Sequence, residues 1–528
     1  MANVTLYDTT LRDGTQMEGV SLSAFDKLRI AERLDQLGVH FIEGGWPGSN
    51  ATDKEFFQRA RSLSLGHAAI VAFGSTRRAN STAEADDNIK ALLDSEASVV
   101  TLVGKASEDQ VTRALGTSLD ENLAMIRDSV AYLKDNGRRV FFDAEHFFDG
   151  YRANPEYSLQ CILTAAEAGA EYVVLCDTNG GTLPIDVFAT VKAVSQAVDC
   201  PIGIHAHNDS DVAVANTIAA VEAGATQAQA SINGYGERCG NANLLSVIAN
   251  LKLKLGIDVV TDEQLSGLTE VHRFTAEVAN MPRNRYQPYV GESAFAHKGG
   301  LHVSAVIKDE AMYQHVQPEL VGNANHIVIS ELSGRSNIAI KLQEVGLAAD
   351  VPRERHAELL TRLKERESQG FQYDGAEASF SLLVRRTLPD YKAPFELVDL
   401  MVVMEKRRRD SNFGDDALCE AVVKLAVGGD VLHTVAAGNG PVNALDQAMR
   451  KALLESYPRL RRVKLTDYKV RVVPLGPESD GTGAVVRVLV DSTNGERAWS
   501  TVGASTNIIE ASWQALADSL EYALLLPE

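Results

Sequence analysis

The sequence is poor in cysteine. Among its 528 residues there are five, Cys161, Cys176, Cys200, Cys239 and Cys419, and no two form a Cys-x-x-Cys pair. Scattered thiols, odd in number, argue against a disulfide framework and a structural zinc site, and they fit a reducing cytosol. No apolar run approaches the roughly 18 residues of a membrane helix. The first residues lack the charged-then-apolar pattern of a signal peptide, so a cytoplasmic location without a membrane partner is expected. Positive charge is also short: 51 Lys and Arg stand against 71 Asp and Glu, a formal net charge of −20. Such a chain repels nucleic acid. Anionic substrates must then be held by local basic groups, and Arg12 is the first candidate. Low-complexity segments and long repeats beyond a short βα unit are absent as well.

What is present is length enough for two or three domains, and over residues 1 to about 255 one pattern that recurs. Short Val/Ile/Phe-rich runs lie near 4–7, 39–43, 69–73, 98–103, 139–143, 172–176, 202–206 and 227–232. Longer amphipathic stretches separate them, and Gly or Asn marks several helix ends, as at Leu37-Gly38, Asn136-Gly137 and Ala223-Gly224. Eight β-then-α units in this span predict an α/β fold, a (β/α)8 TIM barrel. A doubly wound open sheet is the alternative, but no Gly-x-Gly-x-x-Gly follows the first strand. Residues 256–400 read as mainly helical, with a conspicuous loop at Phe295–His302. From about Pro394 strands and helices alternate again, with a Gly-rich turn at Gly481-Thr482-Gly483. The expected division is a catalytic barrel over 1–270, helical linker subdomains over 271–393 and a C-terminal α/β regulatory domain over 394–528.

In a TIM barrel, chemistry sits at the C-terminal strand ends. The unusual polar residues fall there: Arg12 and Asp13 after strand one, Glu43, Trp46 and Asn50 after strand two, Asp143, Glu145 and His146 at strand five, Asp177, Thr178 and Asn179 at strand six, His205 and His207 at strand seven. His205 and His207 share one face of a strand, about 6–7 Å apart along the chain. Alone, a His-x-His is often incidental. With a carboxylate from strand one and an amide after strand eight, Asp13, His205, His207 and Asn241 come from three adjacent strand ends and make a divalent-metal site, suited to Zn²⁺ or Mn²⁺. Asn233–Asn241 carries Gly234, Gly236 and Gly240. Such a loop lets backbone approach a ligand, but it has neither P-loop nor dinucleotide spacing, so ATP and NAD are poorly supported. Asn233, Gly234, Gly236 and Arg238 are read as its ligand-facing members. Glu145 is either a base or substrate acceptor, or a salt-bridged rim residue. Cys239 has no paired His in its motif and is read as small and packed.

Asp8-Thr9-Thr10-Leu11-Arg12-Asp13-Gly14, His205-Ala206-His207-Asn208-Asp209 and Gly234–Asn241 resemble the signatures of the Claisen-condensing TIM-barrel enzymes. That family includes the 2-isopropylmalate, homocitrate and citramalate synthases. Glu319–Asn323 and Ser330–Asn337 resemble the synthases' linker region, and Gly438–Ala444 and Thr501–Ser512 their C-terminal regulatory domain. Lyases of the same fold lack that domain. A catalytically silent sensor would show a damaged metal set, and here the set is whole. Gly44–Asn50 and Phe295–His302, with Lys298-Gly299-Gly300, look most like the citramalate branch; the 2-isopropylmalate branch is the alternative. The resemblance implies a divalent metal (Mn²⁺, Mg²⁺ or Zn²⁺), acetyl-CoA as co-substrate and pyruvate as acceptor. It implies Arg12 as oxyanion stabiliser, Glu145 as catalytic or positioning group, and Thr178 on the substrate carboxylate. His302 and Tyr313 match a linker pair near acetyl-CoA. A homodimer with an amino-acid effector, isoleucine, at the C-terminal domain is also implied.

Overall fold

The computed structural model describes residues 4–527 apart from 298–301, 303, 304, 307, 328–334, 374, 406–417 and 474–482. Lys298 to Leu301, Ser330 to Gly334, and Gly481 with Thr482 therefore lie outside the described residues. The chain divides into two compact units, one of residues 1–295 with 314–325, the other of 296–313 with 326–528.

The first unit is a closed barrel of eight parallel strands in sequence order: β1 (Thr5–Asp8), β2 (Phe41–Gly45), β3 (Ala69–Ser75), β4 (Val99–Lys105), β5 (Arg139–Glu145), β6 (Tyr172–Asp177), β7 (Ile202–Ala206) and β8 (Gln227–Ala230), with β8 pairing back onto β1. The expected TIM barrel is observed, and helices follow the strands. Ser23 caps the first helix, Ala24–Gln36, in a capping box with Asp26. Two helices that the apolar runs left unmarked, Ala51–Ala60 and Phe147–Ala153, follow β2 and β5.

The strands are buried on both faces, as parallel sheets require. Their outward side chains, such as Leu6, Ile42, Val100, Phe142 and Leu175, join the large core under the helices. Inside, the floor is a separate apolar layer of Tyr7, Phe41, Val71, Val99 and Phe141. Above it the interior turns polar, with Glu43, Thr101, Asp143, His205 and Gln229 all buried. After the barrel, Val321 is fully buried in the same core. Thr269 Oγ1 donates to Val321 O over 2.7 Å, and Asn323 Nδ2 donates to Tyr289 O at 3.0 Å and Gly291 O at 2.9 Å.

The second unit holds helices Arg335–Glu344, His356–Ser368 and Glu377–Arg385, then two three-stranded antiparallel sheets. Strands Glu396–Glu405, Leu418–Val427 and Asp430–Gly438 precede helix Pro441–Leu453. Strands Lys464–Val473, Val485–Thr493 and Ala498–Ser505 precede helix Ile508–Leu525. A β-β-β-α unit thus occurs twice, a repeat invisible in the sequence, where the strand Ala498–Ser505 went unread. Each sheet buries one face. On the other, Met401, Val403, Val431, Val435, Val470 and Val472 are exposed.

Candidate active site

Asp13 opens a short 3-10 turn that follows β1, His205 lies on β7, and His207 directly follows β7. All three are buried, and their ligand atoms lie within 4.8 Å of one another, the metal-competent group among the described residues. His205 Nε2 is 3.2 Å from Asp13 Oδ2, and His207 Nε2 is 3.9 Å from it. Asn241, bridged to His207 through backbone, donates Nδ2 to Asp13 Oδ2 over 3.0 Å. Asp13 Oδ1, His207 Nδ1 and Asn241 Oδ1 are buried polar atoms without a hydrogen-bond partner. Buried orphans of this kind call for an explanation, and a divalent cation supplies one for the two oxygens, while His207 presents Nε2 to the same point. A carboxylate, two imidazoles and an amide oxygen suit a borderline or hard ion. As a ligand Asn241 must turn its amide so that Oδ1, not Nδ2, faces Asp13, the same turn that ends the isolation of Oδ1.

The loop glycines serve this geometry. A Cβ on Gly236 would lie 2.3 Å from Asn241 Oδ1, and one on Gly240, at φ +90°, would lie 2.0 Å from Gly234 O. Gly234 and Gly236 therefore wrap the backbone around Asn241. Asn233 sits at φ 60° and turns its amide to His272, accepting at 2.7 Å, so its side chain anchors the loop from behind. Arg238 is paired with Asp209, Nε to Oδ1 2.8 Å and Nη2 to Oδ2 2.9 Å, and donates to Thr178 O. Cys239 is exposed, which corrects the packed position expected for it: the turn carries its side chain outward.

Arg12 completes the floor of the site. Its Nη1 is 3.5 Å from Asp13 Oδ2 and its guanidinium lies 3.8 Å from the Phe73 ring centroid. Its Nε donates to Glu43 Oε2 over 2.6 Å, while Glu43 Oε1 accepts from Tyr7 Oη at 2.8 Å and Tyr7 Oη contacts Thr101 Oγ1 at 2.8 Å. Burial alone favours loss of the Arg12 proton, but Glu43 and Asp13 outweigh it and fix the charge. Burial raises the Asp13 carboxyl; Arg12 and the His205 hydrogen bond outweigh that and hold it well below the carboxylate range. Burial and the neighbouring His205 push His207 down to about 4, the neutral form a metal ligand needs. Phe73 in turn meets Trp46 edge-on at 5.5 Å, in a β2 loop fixed by the buried Lys27–Asp53 ion pair.

Glu145 forms an ion pair with Lys105 on the adjacent strand. Thr178 Oγ1 accepts from the His146 backbone N–H over 2.8 Å, a contact that does not use its own hydroxyl hydrogen. In the second unit His302 stacks on Tyr313, ring centroids 4.4 Å apart and both exposed. Sequence reasoning assigned no role to Glu43, Tyr7, Thr101, Phe73, Asp143 or Gln229. Glu43 and Asp143 stand out in the sequence only as polar residues at strand ends, Tyr7, Thr101 and Gln229 only as polar residues inside otherwise apolar strands, and Phe73 not at all.

A family model described as HMGL-like matches residues 3–275, a homocitrate synthase post-HMGL domain-like model matches 289–370, and a LeuA allosteric (dimerisation) domain model matches 374–524. The chain belongs to the HMGL-like family. Its place there is with the (R)-citramalate synthases. It is 52% identical to that of Aquifex aeolicus over 99% of this chain and 98% of the relative, and 51% identical to that of Geobacter sulfurreducens over 99% and 98%. The 2-isopropylmalate synthase of Methanocaldococcus jannaschii is 30% identical over 99% and 95%.

Proposed function

We propose that this chain is an acyltransferase condensing acetyl-CoA with pyruvate to (R)-citramalate and free CoA. The observation that carries the reading is the buried Asp13–His205–His207 group beside a permanently charged Arg12. Near-full-length identity to (R)-citramalate synthases supports the substrate.

Asp13, His205, His207 and Asn241 would hold a divalent cation, Mn²⁺, Mg²⁺ or Zn²⁺. When bound, the cation supplies Lewis-acid polarisation of the 2-oxo acid's ketone. Arg12 stabilises the negative charge that grows on the ketone oxygen during attack. Thr178 donates its hydroxyl hydrogen to the substrate carboxylate. Glu145 and His302 are the candidates for accepting the acetyl methyl proton, with Tyr313 stacked on His302. The enolate carbon then bonds to the ketone carbon, the alkoxide takes a proton, and water cleaves the thioester to release CoA. Gly234, Gly236 and Arg238, with Asn233 anchoring them, form the loop assigned to the co-substrate.

The C-terminal domain, 394–528, is assigned as a feedback sensor for isoleucine and as the seat of a homodimer. The barrel takes 1–270 and the linker 271–393. The setting is a cytoplasmic, threonine-independent route to isoleucine. The test is free-thiol release with acetyl-CoA and pyruvate, 2-oxobutanoate, 2-oxoisovalerate or 2-oxoglutarate in turn, with metal. Pyruvate is the expected preference. Preference for 2-oxoisovalerate transfers the chain to the 2-isopropylmalate synthases, and no thiol with any acid removes the synthase reading.

A further inference from the structure

His205 touches its surroundings through both ring nitrogens. Nε2 faces the metal group, and Nδ1 lies 2.9 Å from Gln229 Oε1. Gln229 is fully buried on β8, where it occupies an interior position of the sequence Gln227-Ala228-Gln229-Ala230. Two buried glutamines inside a barrel strand are costly unless satisfied. Gln229 is satisfied: its Nε2 donates to Asp143 Oδ1 over 3.1 Å and lies 3.4 Å from Gln227 Oε1. Asp143 is itself buried at the end of β5. Asp143 Oδ1 takes the amide nitrogen as its donor, which leaves the amide oxygen for the histidine. An amide oxygen only accepts, so Nδ1 must carry a hydrogen.

We infer that Gln229, oriented by Asp143, is the positioning residue that locks His205 as the Nδ1–H tautomer and aims Nε2 at the metal. The inference rests on the metal-site reading above. Asp143, Gln229 and His205 come from β5, β8 and β7, so three strands fix one ring. His207 has no such partner, since its Nδ1 is orphaned. The two histidines are therefore unequal: one is held by its hydrogen bond and the other by the backbone bridge to Asn241. Partners behind a ligating histidine usually change metal affinity more than they change the fold.

The test uses the chelator-stripped full chain, titrated with Mn²⁺ while the spin resonance of the free ion is followed. Gln229→Met keeps the length and removes both hydrogen bonds; it is expected to weaken Mn²⁺ binding by about 10- to 100-fold. The double variant Gln229→Glu with Asp143→Asn transposes the pair: the new carboxylate still accepts from Nδ1–H, and the new amide donates to it. Binding in the double variant is expected to return to within about threefold of the unaltered protein. A passive packing role predicts no such recovery. Gln229→Met binding as tightly as the unaltered protein overturns the inference, and so does a double variant that folds but binds as weakly as Gln229→Met. If Gln229→Met does not fold, the double variant decides alone. Failure of the unaltered protein to bind Mn²⁺ overturns the metal site itself, a result distinct from either.

Discussion

Glu43 and Arg12 meet at 2.6 Å, and the remaining Glu43 oxygen is held by Tyr7 from the barrel floor. The carboxylate leaves the guanidinium few ways to turn, with Phe73 beneath it. A planar, forked cation is what such a seat accepts, and a lysine ammonium does not replace it. Arg12→Lys is expected to lower kcat by about 10²–10³, the usual cost of a lost oxyanion donor. Glu43→Gln is expected to lower kcat as well, because Arg12 is released. Unchanged kcat in Arg12→Lys would remove Arg12 from the chemistry.

The metal group yields a second expectation. Asp13→Ala or His207→Ala should abolish CoA release at any metal concentration while far-UV circular dichroism and the barrel's cooperative melt persist. Near-normal turnover in either variant refutes the ligand assignment.

Gly236 tests the loop. A methyl group there meets Asn241 Oδ1, so Gly236→Ala must move either the loop or the amide. Activity should fall by tenfold or more, about 1.4 kcal/mol of barrier, and the metal concentration for half-maximal rate should rise. A variant with unaltered metal dependence places Asn241 outside the site.

Asp8 gives a pH signature. Burial raises its carboxyl to about 7, despite hydrogen bonds from Thr10. Between about pH 4 and 7 the folded chain keeps this proton and the unfolded chain has lost it. The stability tied to Asp8 is therefore complete below about pH 4 and is lost as pH rises through 7. Asp8→Asn has no such proton, so urea titrations of metal-free protein should fall less steeply over this window, by up to about 1.4 kcal/mol per pH unit. Parallel curves for the two proteins would show that Asp8 is ionised throughout.

The exposed apolar faces of the C-terminal sheets supply the last expectation. Met401 and Val403 project from strand Glu396–Glu405 on the side away from the buried core. Contiguous apolar surface of this kind marks an interface. Met401→Lys with Val403→Lys should convert a dimer into a monomer by light scattering, with CoA release retained in part. A dimer that survives the pair of lysines lies elsewhere.

Much of the barrel could be read from the chain because each βα unit carries its own period and its own stop signal. The convergence of Asp13, His205, His207 and Asn241 was readable for the same reason: they follow or end adjacent strands, and barrel closure makes those ends neighbours. Glu43 and Asp143 could be placed at strand ends, but their partners, and Gln229 altogether, were not readable. These residues join strands two, five and eight to their partners across the barrel interior, a distance that no local pattern encodes. The duplicated β-β-β-α unit stayed hidden because its strands vary in composition while repeating in topology.

The first unit draws its chain from two places, residues 1–295 and 314–325. Between them the chain leaves for the other unit and returns to set Val321 in the barrel's core. Excision at any point before 314 would thus strip the barrel of a core side chain and leave the Tyr289 and Gly291 carbonyls without Asn323. The unit is continuous in space and discontinuous in the sequence. A freestanding barrel must carry the intervening segment or have the two ends respliced.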